Sequence, residues 1–216
     1  MMYSELFDRP NFSGNGSDAP LYGVFVGIVT NNQDPDNLGR VKVRFPWLSD
    51  EVESTWARIA TPMAGGDRGL YLLPEVDDEV LVAFEGGSAE FPYVLGALWN
   101  GQDAPPESND DGENNVRSLT SRSGHVVRFD DTDGSEKIEI LDSSGNNSIT
   151  LDTANNTIAI VADSDITIES SNGKLVLSGN GVEISSQAEL KIEASQTLDI
   201  QGGPELNIQG DMVNIN

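Results

Sequence analysis

The chain has 216 residues, with 36 Asp and Glu against 12 Lys and Arg, a formal net charge of −24 and 37% hydrophobic residues. That charge balance argues against electrostatic binding to nucleic acid or anionic lipid, both of which need clustered cations. The lack of cysteine excludes disulfides and thiolate-held metals, and a single histidine, His125, excludes multi-histidine metal centres.

Residues 1–20 contain SGNGSDAP and no apolar periodicity, and are expected to form a flexible N-terminal arm that orders only against a partner. The opening MMYSELFDRP lacks the basic stretch and apolar core of a secretory signal. No apolar run in the chain approaches the roughly 18 residues of a membrane helix, so no stable membrane anchoring is expected.

Residues 21–100 read as short strands separated by turns. LYGVFVGIVT (21–30) is apolar and β-branched. VKVRF (41–45) alternates strictly, with Val41, Val43 and Phe45 on one face and Lys42 and Arg44 on the other, and Pro46 ends it. Further strands are expected at Trp56 to Ile59, Glu79 to Phe84 and Phe91 to Trp99, with turns at Gly65–Gly66–Asp67 and Glu85–Gly86–Gly87. About five short strands and no amphipathic helix point to a small OB-type barrel. Such barrels often bind oligonucleotides through a basic, aromatic face. Here the cations are few (Arg40, Lys42, Arg44, Arg58, Arg68), so no nucleic-acid partner is expected. Phe45, Trp47, Trp56, Phe84 and Trp99 are expected to fill the barrel or its contacts with other subunits.

Residues 101–116 (GQDAPPESNDDGENNV) read as a linker. From Asp130 onward there is no aromatic residue, and from Glu139 twelve acids face two lysines, Lys174 and Lys191. Apolar–x–apolar triplets recur through 117–216. They are Ile138–Ile140, Ile149–Leu151, Ile158–Ile160, Ile166–Ile168, Leu175–Leu177, Val182–Ile184, Leu190–Ile192, Leu198–Ile200, Leu206–Ile208 and Val213–Ile215. Positions i and i+2 of a strand share a face, so each triplet turns two aliphatic side chains inward. The middle residue faces outward and is usually polar: Glu139, Thr150, Thr167, Glu183, Lys191, Asp199, Asn207 and Asn214. Corners such as Asn172–Gly173, Gly179–Asn180–Gly181 and Gly202–Gly203 lie between triplets.

The period of about eight residues is too short for one coil of a single-chain β-helix, which takes roughly 20 residues. One chain also buries little with two inward residues per strand. Three chains wound about one axis solve both problems, with the apolar residues from Ile138 to Ile200 as trimer core. Ten strand levels then make a needle on the order of 50 Å long. A monomeric β-solenoid and a disordered acidic tail are the alternatives; regular aliphatic pairs are not what disordered segments contain. The expected fold is all-β: an N-terminal OB barrel (21–100) followed by a trimeric intertwined triangular β-helix (117–216).

A non-enzyme is expected. His125 sits in Ser123–Gly124–His125 near Asp130 and Asp131, without a nucleophile elbow or oxyanion-hole signature, and is expected to be structural. Asp130–Asp131–Thr132–Asp133–Gly134 resembles the start of a calcium loop, but position 12 from Asp131 is Asp142 rather than a bidentate Glu, so a turn is expected. Asp34–Pro35–Asp36–Asn37–Leu38–Gly39 is read as a hairpin loop. No phosphate-binding glycine loop is present. No catalytic, cofactor or metal residue is assigned.

GVFVGIVTNNQDPDNLGRVKVRFPWL, WARIATPMAGGDRGLYLLPEVDDEVLVAFEGG and FPYVLGALWNG resemble the OB domain of the VgrG and phage baseplate assembly protein V family. SRSGHVVRFDDTDGSEKIEILD resembles the segment by which those proteins enter a trimeric β-helix. The resemblance implies a homotrimeric central spike of a contractile injection system, whether phage tail, phage-tail-like particle or type VI secretion system. Such a spike is cytoplasmic at assembly and afterwards part of the particle. Only about 20 residues precede the barrel, so the resemblance implies a separate hub or baseplate protein. It also implies a small conical PAAR-like tip protein, expected to contact Leu206, Ile208, Met212, Val213 and Ile215. The competing expectation is a trimeric tail fibre or adhesin binding surface glycans; PELNIQGDMVNIN offers no aromatic for that purpose.

Overall fold

The structure is a computed structural model that describes residues 20–215, the side chains of 49–51 excepted. The arm expected at 1–20 lies outside the described residues, Pro20 apart. The chain forms two compact units, one reaching Val161 and one starting at Ala162.

In the first unit the apolar run after Leu21 forms β1 (Val24–Asn31), which pairs antiparallel with β2 (Lys42–Phe45). The loop between them is organised by Asp34. Its carboxylate accepts the backbone N–H groups of Asp36, Leu38 and Arg40 and the Arg40 guanidinium, with Nε at 2.8 Å and Nη2 at 2.7 Å. The guanidinium above all holds this carboxyl well below the usual carboxylate range. In β2 the alternation sends Val43 and Phe45 into the core with Val41 just ahead of them, all three buried.

The strand β3 (Ser49–Glu53) folds back on β2. Its sequence, SDEVE, has no alternation to announce it. Ala57 bridges Val41, and β4 (Arg58–Ile59) follows. A two-residue hairpin, β5 (Ala64–Gly65) and β6 (Arg68–Gly69), occupies the next loop. β7 (Glu79–Phe84) points Val80, Val82 and Phe84 inward, a 3-10 turn covers Glu85–Gly87, and β8 (Pro92–Ala97) completes the sheet. The strand order is β3-β2-β1-β7-β8-β4, with β4 parallel to β8. The Val41–Ala57 bridge draws the β4 end back toward β2, so the sheet curls into a half-barrel of OB type.

The core is Val29, Val41, Val43, Phe45, Ala57, Val80, Val82, Phe84 and Val94. Phe25 stacks on Trp47 at 4.8 Å and leans on Phe84 at 5.5 Å, closing one end. Of the aromatics expected to fill the barrel, Phe45 and Phe84 are buried and Trp56 is half-buried. Trp47 caps the ring cluster, while Trp99 stands in solvent. Gly27 is required where β1 crosses β2: a Cβ there would lie 2.3 Å from Val43 Cγ1.

After the linker come five strands: β9 (Val116–Thr120), β10 (Val126–Asp130), β11 (Lys137–Leu141), β12 (Ser148–Asp152) and β13 (Thr157–Val161). They form an antiparallel meander in order β13-β12-β11-β10-β9. Arg122, in the β9–β10 turn, pairs with Glu75 of the barrel at 2.7 Å.

The first three aliphatic triplets are therefore the middles of β11, β12 and β13. The other seven lie in the second unit, where the described residues form no strand or helix.

Candidate functional site

Register decides what the meander presents. Leu119, Val127, Ile140, Ile149 and Ile160 are direct cross-strand partners, one from each strand. Phe129, Ile138, Leu151 and Ile158 form a second row two residues along. Side chains two apart share a face, so both rows lie on one side of the sheet. That side is open: Phe129 is 48% exposed, Ile140 49% and Ile158 71%. A five-stranded sheet with one such face has lost its water-side alternation, and contiguous apolar surface of that kind marks an interaction site.

The opposite face is satisfied within the chain. Arg128 Nε and Nη2 donate to Glu139 Oε2 at 3.0 and 2.6 Å, and Lys137 Nζ pairs with Oε1 at 3.2 Å. Burial by itself pushes the Glu139 carboxyl up; the bonds from Arg128 and Lys137 outweigh it and hold the group below its ordinary range. Its hydrogen bond to Glu139 in turn raises Arg128, with a further contribution from Glu107 of the linker. Glu139 lies opposite to Ile138 and Ile140, as alternation requires, but at 8% exposure it is buried rather than facing solvent. The partner that buries it, Arg128, sits one strand away and is invisible to a triplet pattern.

The turns explain why the meander holds its register. Asp142 accepts Asn147 N–H, Asn147 Nδ2 and Ser144 Oγ, and these bonds hold its carboxyl at about 2. Asp152 caps the next turn by accepting from Asn155, and Asp130 accepts Thr132 N–H and Oγ1. Gly134 and Gly145 supply the positive φ in the Asp130 and Asp142 turns, at 74° each, Asn156 does so at 55° after Asp152, and Gly124 at 87° between β9 and β10. Asp130 is thus engaged with its own turn, as the hairpin reading of that segment expects. His125 acts between two turns: its N–H donates to Ser121 Oγ, and its Nδ1 accepts Ser143 N–H at 3.2 Å. Its hydrogen bonds go to these two turns and not to Ser123 or the aspartates that follow it in sequence.

The residues expected to form a trimer core share one property. Ile138 and Leu151 are half-buried, and from Ile158 onward every one is more than half exposed. The five assigned to a tip protein are exposed too, from Val213 at 49% to Ile215 at 87%. The structure adds Leu119, Val127 and Phe129 to the open apolar surface. The alternation of VVRFD carried that signal, but only pairing with β11 joins it to the triplets.

Residues 25–99 match the model of the type VI secretion system/phage-baseplate injector OB domain. The chain is similar to the type VI secretion system spike protein VgrG3 of Vibrio cholerae, 33% identical over 129 residues, covering 56% of this chain and 13% of that protein. It is similar to the spike protein VgrG2a of Pseudomonas aeruginosa, 31% identical over 123 residues, 53% of this chain and 15% of that protein. It also matches the actin cross-linking toxin VgrG1 of Vibrio cholerae, 31% identical over 93 residues, 41% of this chain and 8% of that protein. The chain thus spans less than a sixth of the length of each.

Proposed function

We propose that the chain, whose residues 25–99 match the injector OB domain and which is similar to VgrG spike proteins, is the structural central spike of a contractile injection system, acting as a homotrimer. The observation that carries this reading is the open apolar face of β9 to β13, followed by seven more aliphatic pairs that no other described residue covers. Burial of apolar area is worth about 25 cal/mol per Å², and a single chain leaves this gain unrealised. Three copies packed about an axis realise it, and the repeat of about eight residues gives each copy one strand per level.

In that assembly the triplets from Ile166 to Ile215 wind into the intertwined β-helix, and their ladder hydrogen bonds come from neighbouring copies. The outward carboxylates keep the needle soluble and discourage adhesion to anionic headgroups, which suits a device that is driven through a membrane. The barrel docks on a separate hub or baseplate protein. Leu206, Ile208, Met212, Val213 and Ile215, all exposed, take a PAAR-like tip protein. The role is mechanical, not enzymatic; the actin cross-linking named for one relative belongs to a protein of which this chain matches 8%. Among the described residues no helix is long and apolar enough to cross a membrane.

Sedimentation velocity of the full chain tests the assembly, with a trimer expected; a monodisperse monomer would overturn it. Co-purification with candidate hub and tip proteins tests the partners. Truncation after Gly203 is expected to abolish tip binding while the trimer persists, and equal recovery of the tip protein by both forms would remove that assignment.

A further inference from the structure

Among the described residues, asparagine precedes glycine at Asn100–Gly101, Asn172–Gly173 and Asn180–Gly181. The three stand in different surroundings. The carboxamide of Asn100 is held at both ends: Oδ1 accepts the backbone N–H of Gln102 at 2.8 Å and of Asp103 at 2.7 Å, and Nδ2 donates to Glu79 and Asp103. Asn172 and Asn180 are exposed in the second unit, and neither makes a hydrogen bond with the described residues. A glycine follows each, so no Cβ shields the backbone nitrogen. Around Gly181 nothing stands within 4 Å of where a Cβ would be.

We propose that Asn172 and Asn180 are sites of spontaneous backbone modification by water, and that Asn100 is held out of the same reaction. The nitrogen of Gly181 attacks Cγ of Asn180 and forms a C–N bond. The bond from Cγ to Nδ2 breaks, the glycine N–H proton leaves with the departing nitrogen, and ammonia is released. Water then opens the cyclic imide at either carbonyl and gives aspartate or isoaspartate, with no oxidant or reductant involved. Asn172 and Gly173 react in the same way. At Asn100 the two N–H groups on Oδ1 and the Glu79 and Asp103 carboxylates on Nδ2 fix the carboxamide, so it does not turn freely to offer Cγ to the Gly101 nitrogen.

Each event adds a carboxylate to a segment (162–215) that already carries nine acids against two lysines. The isoaspartyl product also lengthens the main chain by one methylene between neighbouring aliphatic pairs. These two corners therefore limit how long the segment keeps its original register.

The test is peptide mapping by mass spectrometry of the full chain after incubation at mildly alkaline pH, with enzymatic methyl transfer to report isoaspartate. Amide-to-acid conversion is expected at Asn172 and Asn180 and not at Asn100. Gly181→Ala, which has room for its methyl group, is expected to suppress conversion at Asn180 and leave Asn172 unchanged. Glu79→Ala combined with Asp103→Ala is expected to raise conversion at Asn100. Conversion of Asn100 in the native chain as fast as Asn180 would overturn the proposal, as would undiminished conversion of Asn180 in Gly181→Ala. The readout is chemical, so it is separable from the association state.

Discussion

Ile140→Asp places a carboxylate at the centre of the open apolar face, between Val127 and Ile149. Within one chain the change is mild. The side chain is already 49% exposed, and the ladders of β11 with β10 and β12 are backbone bonds that need no isoleucine. In a trimer the balance is different. Covering the exposed half of an isoleucine is worth about 1 kcal/mol, half of what full burial gives. An unpaired charge sealed in an interface costs about 3–5 kcal/mol. Summed over three chains the loss is roughly 12–18 kcal/mol per trimer. For three monomers in equilibrium with one trimer, the concentration of half-assembly rises as the square root of the dissociation constant. At about 1.4 kcal/mol per decade, it shifts by about four to six decades. Sedimentation equilibrium across a dilution series measures this shift, and far-ultraviolet circular dichroism checks that the strands persist. Ile140→Val is the companion, expected to cost about 0.5–1.5 kcal/mol per chain. A variant Ile140→Asp that stays trimeric at the same concentrations as the native chain would refute the assignment of this face as the interface.

Gly27→Ala drives a methyl into Val43 and is expected to cost about 1–3 kcal/mol, seen as a lower thermal midpoint, whereas Gly96→Ala meets no atom within 4 Å and leaves the midpoint close to native; equal midpoints would contradict the close approach of β1 and β2. Glu139→Ala strands Arg128 and Lys137 on the covered face and is expected to lower stability by about 1–3 kcal/mol in urea titration, and an unchanged midpoint would show that the cluster contributes nothing. Asp142 has its carboxyl at about 2 in the folded chain against an ordinary 3.8. A depressed carboxyl contributes stability above its unfolded value, and that contribution is lost as pH falls from about 4 through about 2. Carbon-detected magnetic resonance of the Asp142 carboxyl would report the titration, and a midpoint near its ordinary value would break the link to Asn147 and Ser144.

Much of the barrel was legible before any coordinates. The run Glu79 to Phe84 is a strand over the same residues, and VKVRF buries the three side chains its alternation selects, because a period of two leaves only one way to face the core. β3 escaped because SDEVE has no alternation; pairing with β2 holds it, not its own pattern. The loop at Asp34 was read as a hairpin connection, but that one carboxylate organises it is a matter of atoms six residues apart meeting in space. In the second half the triplets located strands β11 to β13 well, and the turn at Asp130 as well.

Composition and periodicity alone determined that the chain changes character near residue 130, that the first part is a small curled sheet, and that the second repeats aliphatic pairs. Side-chain alternation is a local property, so it survives in the sequence. Tertiary structure decided which strands are neighbours. It joined Leu119, Val127 and Phe129 to the aliphatic rows and buried Glu139 against Arg128, because cross-strand register follows from turn geometry and no local pattern records it.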